Sequence, residues 1–489
     1  MVSQHHPEYD RAFPDWELAR ACADGERAIK SMAERYLPRP NGFDQHQYDE
    51  YLMRAEFFNA TGRTIDGLTG MIFRKTPLVS GRESDPVDQL VENATANGST
   101  LFDLAQEAVE EVITVGRVGV LVDYPQEQEG RQLTIAEAER LGLRPYLRLY
   151  TAESIINWRT TIVRGQEVLT MVVLTEEHDE AGDDEFDVVH RTFYRVLTLE
   201  EPETNPFYRI RLMEVQAHET SDGETFRAEY VHVDTVGRRN GAVLTEIPFL
   251  FIGTVNSAPD VQRSPVIDVA RANLSHYRTA ADIEWGSHKT ALPTLVITGH
   301  ERDVAVEGPL YIGSDRAMTL REPDARAFFL EFTGAGMGTL LKLEEVKRDR
   351  MAVLGARILQ ADKRQVESAE TALLHRQGEH ATLSSMASTI ADALTRQLRV
   401  AAEWNGASLA EAENVFVELN TDYLPHAIDA TQLAALVRAW QEGALSWGEL
   451  SEALQRGEIA DATLTAEERR EIIDQDPGRL GSLFDGVET

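Results

Sequence analysis

The chain has 489 residues, 42% hydrophobic and 27% charged, the balance of a folded globular protein with length for about two to four domains. Its 82 acidic residues outnumber 48 basic ones for a formal net charge of −34, which excludes a protein that grips nucleic acid through a basic surface and leaves only weak, sliding contact with DNA, or plain solubility, as its meaning. A single cysteine, Cys22, excludes an intrachain disulfide and fits a reducing cytoplasm, no run of about 18 apolar residues offers a membrane span, and "MVSQHHPEYDRAFPDW" at the start carries no secretion signal.

Residues 1–125 read as mostly helical. Asp15–Leu37 has apolar residues near helical spacing with Asp15 at the N-cap, and "PRPNGFD" ends it. Gln45–Phe73 reads as a second helical stretch, ended by "RKTP". Ser99–Gly116 opens on a Ser/Thr cap and closes on glycine, the polarity of a helix. "RVGVLVDYP" then alternates and is β-branched, so it reads as a strand.

From Arg144 to Gly253 the texture is that of strands: "PYLRLYTAESIINW", "EVLTMVVLTEE", "VHRTFYRVLTLE", "YRIRLMEVQ", "AEYVHVD" and "IPFLFIG". Between two of them lies "EEHDEAGDDEFD" (Glu176–Asp187), whose spacing is not that of a calcium loop; it reads as a solvated hairpin tip. Ser264 and Pro265 then open a helix whose Val266, Ala270, Leu274, Tyr277, Ala281 and Trp285 step by three or four, which buries one face.

A short β segment follows: "LPTLVITG", "GPLYIG", "AMTLRE" and "AFFLEFTG". Two long helices come next, Gly338–Leu359 at roughly 30 Å and Ser368–Trp404 at roughly 55 Å. The second carries a stripe of Leu383, Met386, Ala387, Ile390, Leu394, Leu398 and Ala401, and a charged hinge, Gln360–Glu367, joins the two. A helix this long needs a partner of its own length, which neighbouring subunits around an axis would supply. After a short strand candidate, "ENVFVEL", residues 427–489 are helical and acid-rich. The fold class expected is α+β, predominantly α, with no internal repeat.

Chemistry is sparse. Gly334-x-Gly336-x-Gly338 after a strand is similar to a dinucleotide loop, but its third glycine falls one position early and no returning strand follows. There is no G-x-x-x-x-G-K-[ST], no H-E-x-x-H and no G-x-S-x-G. His375 and His380 fall on different helix faces, His5 and His6 lie near the chain start, and no carboxylate spacing singles out a two-metal cluster. No catalytic residue, cofactor or metal ligand is expected, and the chain is not expected to be an enzyme.

The segments Tyr36–Pro77, Ser264–Gly286, "MAVLGARIL" (Met351–Leu359) and Glu367–Leu394, taken in that order, resemble a bacteriophage portal protein, of a branch catalogued as a phage domain of unknown function. The resemblance spans residue 36 to about 425. It implies a portal fold: a wing over 1–255 (β-rich over 144–253) with a return at 405–426, stem helices at 264–289 and 338–359, and a clip at 290–334. It further implies a channel loop at 360–367, a long helix at 368–404 and a crown at 427–489. Such a protein forms a ring, usually of twelve subunits, at one capsid vertex, the conduit through which viral DNA is packaged and ejected. The partners implied are further copies of itself, the terminase large subunit, a head–tail adaptor, the major capsid or scaffolding protein, and double-stranded DNA touched weakly; no membrane is implied. The place implied is the virion, after assembly in the bacterial cytoplasm.

On that resemblance Lys363, Arg364 and Gln365 are the groups nearest DNA; without it, the hinge is an exposed turn with solvated charges. The rival readings are a non-channel oligomeric phage scaffold and a nucleotide- or metal-dependent enzyme.

Overall fold

The computed structural model describes residues 1–125, 143–182, 184, 186–219, 225–239, 241–290, 294–298, 324–330, 335–355, 369–421, 423, 430–456, 459–460 and 466–475. The chain is α+β, with helix outweighing strand.

The first helix, α1 (Pro7–Asp24), starts well before Asp15. Its N-cap is His6, whose side chain accepts from the Glu8 amide, and Pro7 fits the first position. Gly25, at φ +89°, breaks the expected single helix and α2 (Glu26–Ser31) begins beyond it. Gln45–Phe73 likewise divides, into α3 (Gln45–Arg54) behind an Asp44–Gln47 capping box and α4 (Ala60–Ile72) behind Asn59, which accepts from the Gly62 amide. Then come β1 (Leu78–Val79) and α5 (Asp85–Glu92), the latter absent from the sequence reading. Helix α6 (Leu101–Val115) is bounded as expected, by a Thr100–Asp103 capping box and by Gly116 at φ +84°.

Strands β2 (Arg117–Asp123), β3 (Tyr146–Thr151), β4 (Ile155–Val163), β5 (Gln166–Ala181), β6 (Val188–Glu200), β7 (Phe207–Glu219) and β8 (Thr225–Val236) follow. The two-residue pair β9 (Arg238–Arg239) and β10 (Ala242–Val243) precedes β11 (Phe249–Gly253). Strands β11-β2-β3 form one antiparallel sheet, and β4-β5-β6-β7-β8 a five-stranded meander.

The acidic run at the β5–β6 hairpin is not wholly solvated. Strand β5 runs on to pair Ala181 with Val188, and Glu176, at its inner end, is 2% exposed. Its carboxylate accepts from Arg195 Nε (2.6 Å) and the Tyr150 hydroxyl (2.6 Å), pairs with Arg148 (3.1 Å) and meets His178 Nε2 at 3.3 Å. Burial pushes its pKa up, but the Arg195 and Arg148 guanidiniums and the Tyr150 hydroxyl outweigh that and hold it at about 2.

Helix α7 (Ile267–Thr290) leads to β12 (Thr294–Thr298) and β13 (Arg326–Leu330), an antiparallel pair, and then to α8 (Ala335–Leu354). The strands read from "GPLYIG" and "AMTLRE" lie outside the described residues. Helix α9 (Ala369–Trp404) precedes α10 (Leu409–Glu413) and β14 (Val417–Glu418), which pairs with β1. Last are α11 (Ala430–Gln441), α12 (Trp447–Arg456) and α13 (Ala466–Gln475).

Three apolar clusters organise this. In the first, the α9 stripe from Leu383 to Ala401 is buried with Ala105, Val109 and Val112 of α6 and Val118 and Val120 of β2. The chain's own core therefore covers the described face of this helix from Leu383 onward. The second joins Tyr9 and Trp16 of α1 to the sheets. The third packs Tyr36, Tyr48 and Tyr51 against Ala270, Leu274, Tyr277 and Ala281, the face of α7 read from the sequence.

One buried amide ties α7 to the start of α4. Asn273 Oδ1 accepts from Ala60 N (3.2 Å), Thr61 N (3.1 Å) and Thr61 Oγ1 (3.0 Å), while its Nδ2 donates to Phe58 O at 2.8 Å. Asn273→Ala is expected to cost about 2–4 kcal/mol, because it orphans several buried groups at once. Denaturant unfolding checks this; a loss under about 1 kcal/mol would show that water replaces the amide.

Candidate functional site

The α7/α8 pair is a long two-helix element whose two ends differ in burial. The helices run antiparallel: Gly286 meets Met337, His276 meets Glu344, Lys347 meets Thr279 and Gly355 meets Val269. His276 Nε2 lies 3.0 Å from Glu344 Oε1, and Lys347 Nζ donates to Ser275 O (2.8 Å) and Thr279 Oγ1 (2.6 Å). Burial lowers the His276 pKa against the opposing pull of Glu344, and burial also lowers that of Lys347.

The root of the pair is buried and its tip is open. Ala270, Leu274, Tyr277 and Ala281 lie in the core, as do Met351 and Ala352 at the far end of α8. Beyond Ala281, Asp282, Glu284, Ser287 and Lys289 are exposed. The tip is closed by the β12–β13 pair, in register from Thr294↔Leu330 to Thr298↔Arg326.

Helix α8 carries two seams. Met337, Leu340, Glu344, Lys347 and Met351, spaced 3-4-3-4, form the less exposed side, and Met337, Glu344 and Lys347 contact α7. Thr339, Leu343, Val346, Arg350 and Val353, spaced 4-3-4-3, form the other side and lie open, with Leu343, Val346 and Val353 at 43%, 62% and 65% exposure. This second seam stands in the sequence at helical spacing, yet the sequence reading passed over it.

Lys363, Arg364 and Gln365 belong to the segment between α8 and α9 and lie outside the described residues, as do the side chains of His375 and His380. Gly336 and Gly338 lie in the first turn of α8, while Gly334 lies outside the described residues. His5 pairs with Asp10 (2.9 Å) and His6 caps α1. Among the described residues no group of three or more His, Cys, Asp or Glu could hold a metal ion, and no helix is long and apolar enough to cross a membrane. Burial raises the Cys22 pKa to about 12, which leaves the thiol inert.

Residues 265–405, from α7 to just past α9, match a family described as a domain of unknown function (DUF4055). No curated protein matches the chain. Among solved structures the chain is similar to one from the virion of a native gene transfer agent (GTA) particle, 13% identical, with TM-score 0.40, covering 87% of this chain and 98% of that one. It is also similar to a chain from the neck of the native GTA particle computed with C12 symmetry (14%, TM-score 0.37, 88% and 98% covered). A third is from the neck of the empty particle computed with C6 symmetry (13%, TM-score 0.38, 90% and 99% covered). At this distance neither fold nor role transfers from those chains to this one.

Proposed function

We propose that the chain is a portal subunit: a structural, non-catalytic protein that forms a ring, of twelve copies in the family it resembles, through which viral DNA enters and leaves a capsid. The observation that carries this reading is the α7/α8 pair, followed by two paired strands at its tip, with an apolar seam on α8 that the described residues leave exposed. Such a seam fits a neighbouring copy, and head-to-tail contacts of this kind close into a ring when the rotation allows.

In this reading the segment after α8 reaches the channel, with Lys363, Arg364 and Gln365 touching phosphates intermittently. The net charge of −34 keeps the remaining wall repulsive, so DNA slides. The terminase large subunit, a head–tail adaptor and the capsid or scaffolding protein are the partners this role requires, and the virion vertex is its place.

Electron microscopy of the purified chain with mass photometry tests the reading: rings with a central hole support it, and closed oligomers without a hole reject the conduit for a scaffold. Within rings, the double variant Lys363→Ala/Arg364→Ala is expected to assemble normally. Its DNA retention in particles should fall roughly fivefold, the order expected from losing two phosphate contacts. Unchanged packaging and retention would remove these residues from the channel.

A further inference from the structure

Residues 1–6 lie as a strap over the five-stranded sheet. His6 N donates to Ile156 O (2.8 Å) and Asn157 Nδ2 to Gln4 O (2.7 Å), both on β4, while Val2 N donates to Glu229 on β8. These contacts tie residues 1–6 to both edge strands of that sheet, β4 and β8, with residues 1–4 folded in a turn closed by Gln4 N donating to Met1 O (3.1 Å). Val2 also packs against the sheet's apolar cluster.

The strap lands on an unusual stack. The His6 ring stacks on Trp158 with centroids 4.0 Å apart and planes at 25°. The Arg117 guanidinium lies 4.0 Å from the same Trp158 ring and 4.2 Å from Phe251. Arg117 is 1% exposed, and none of its three guanidinium nitrogens has a hydrogen-bond partner among the described residues. Burial drops its pKa to about 9, with Glu8 and Asp260 opposing.

His6 is the joint between strap and helix. Its Nδ1 accepts the Glu8 amide N–H at 3.3 Å as the N-cap of α1, a bond that requires Nδ1 to be unprotonated. A second proton turns that acceptor into a donor and removes the cap. It also sets a positive charge at the positive end of the helix dipole, beside a Trp ring already occupied by Arg117. The groups facing His6 are divided: Glu8 and Asp260 favour the cation, Arg117 and burial oppose it, and burial is the strongest. His5, next on the strap, is engaged with Asp10.

We propose that residues 1–6 are an acid-released latch over this sheet, with His6 as its trigger. Because His6 is shifted downward on folding, the latch is fully held above the ordinary histidine pKa of about 6.5 and weakens as pH falls below it. Release uncovers the outer face of Trp158.

Hydrogen–deuterium exchange of the full chain, corrected for intrinsic exchange, tests this on peptides covering residues 1–12. Their protection is expected to fall severalfold between pH 7.5 and pH 5, while α9 peptides stay protected. His6→Asn keeps a capping oxygen that does not titrate, and its strap should be equally protected at both pH values. Equal loss in His6→Asn, or equal loss across the whole chain, overturns the proposal. Should His6→Asn leave the strap open at pH 7.5, Asp260→Asn decides: removing an attracting carboxylate must move release to lower pH, and an unshifted midpoint overturns the latch.

Discussion

Replacing Glu176 with alanine is expected to lower the free energy of unfolding by about 3–5 kcal/mol, measured by urea denaturation at pH 7. The cost is not the lost attraction alone. Arg195, itself mostly buried, would keep only Asp123, at 3.1 Å, and the Tyr150 hydroxyl would lose its acceptor inside the sheet. A charge left without its counterion in such a place is what makes breaking a buried pair expensive. By contrast the exposed pair of Arg438 on α11 and Glu442 just past its end should give no more than about 0.5 kcal/mol when cut. Linkage adds a pH signature. Glu176 titrates at about 2 when folded, against an unfolded value near 4.3, so its contribution is complete above that value and is lost as pH falls toward 2. About 3 kcal/mol of stability should disappear over that window in the native chain and not in Glu176→Gln. Parallel pH curves for the two would mean that the carboxylate is not ionised in the fold.

The largest expected effect on assembly comes from α8. With Leu343→Asp and Val346→Asp together, rings should give way to a species near 54.7 kDa in mass photometry. The thermal unfolding of the subunit should barely move, because both side chains already face solvent within one chain and surface changes rarely exceed about 0.5 kcal/mol. Met351→Asp is the contrasting change: that side chain is buried, and a carboxylate there should unfold the root of the helix pair. Rings that survive both seam aspartates would show that copies meet elsewhere.

Much of the fold is legible where a local signal and a tertiary need agree. Helix α6 could be bounded by Thr100 and Gly116, and the buried face of α7 by its apolar steps, because each signal acts within a few residues. Legibility fails where a strong periodic run conceals an internal stop. Gly25 and Asn59 each divide a stretch that periodicity alone presents as continuous, and His6 is outside the usual set of N-caps, so the start of α1 carries no local signal. Glu176 fails for a different reason. Nothing local separates it from the other acids in its run; only the register of β3 and β6, which sets Arg148 and Arg195 around it, gives it a buried role. The length of α9 points to partners outside the chain, and its stripe from Leu383 to Ala401 is covered by the chain's own core; the exposed apolar seam lies on the shorter α8.

The uneven burial along α7 has a mechanical meaning. Clamped through Asn273 and the tyrosines at one end and open at the other, the α7/α8 pair is a cantilever, and α7 alone is roughly 36 Å long. A sideways load at the strand-closed tip is felt at the root as torque. There it must shear the His276–Glu344 and Lys347–Thr279 contacts or tear four hydrogen bonds from one amide. Bending therefore concentrates beyond Trp285, whose ring is the last on α7 to pack against Phe43 and Tyr51.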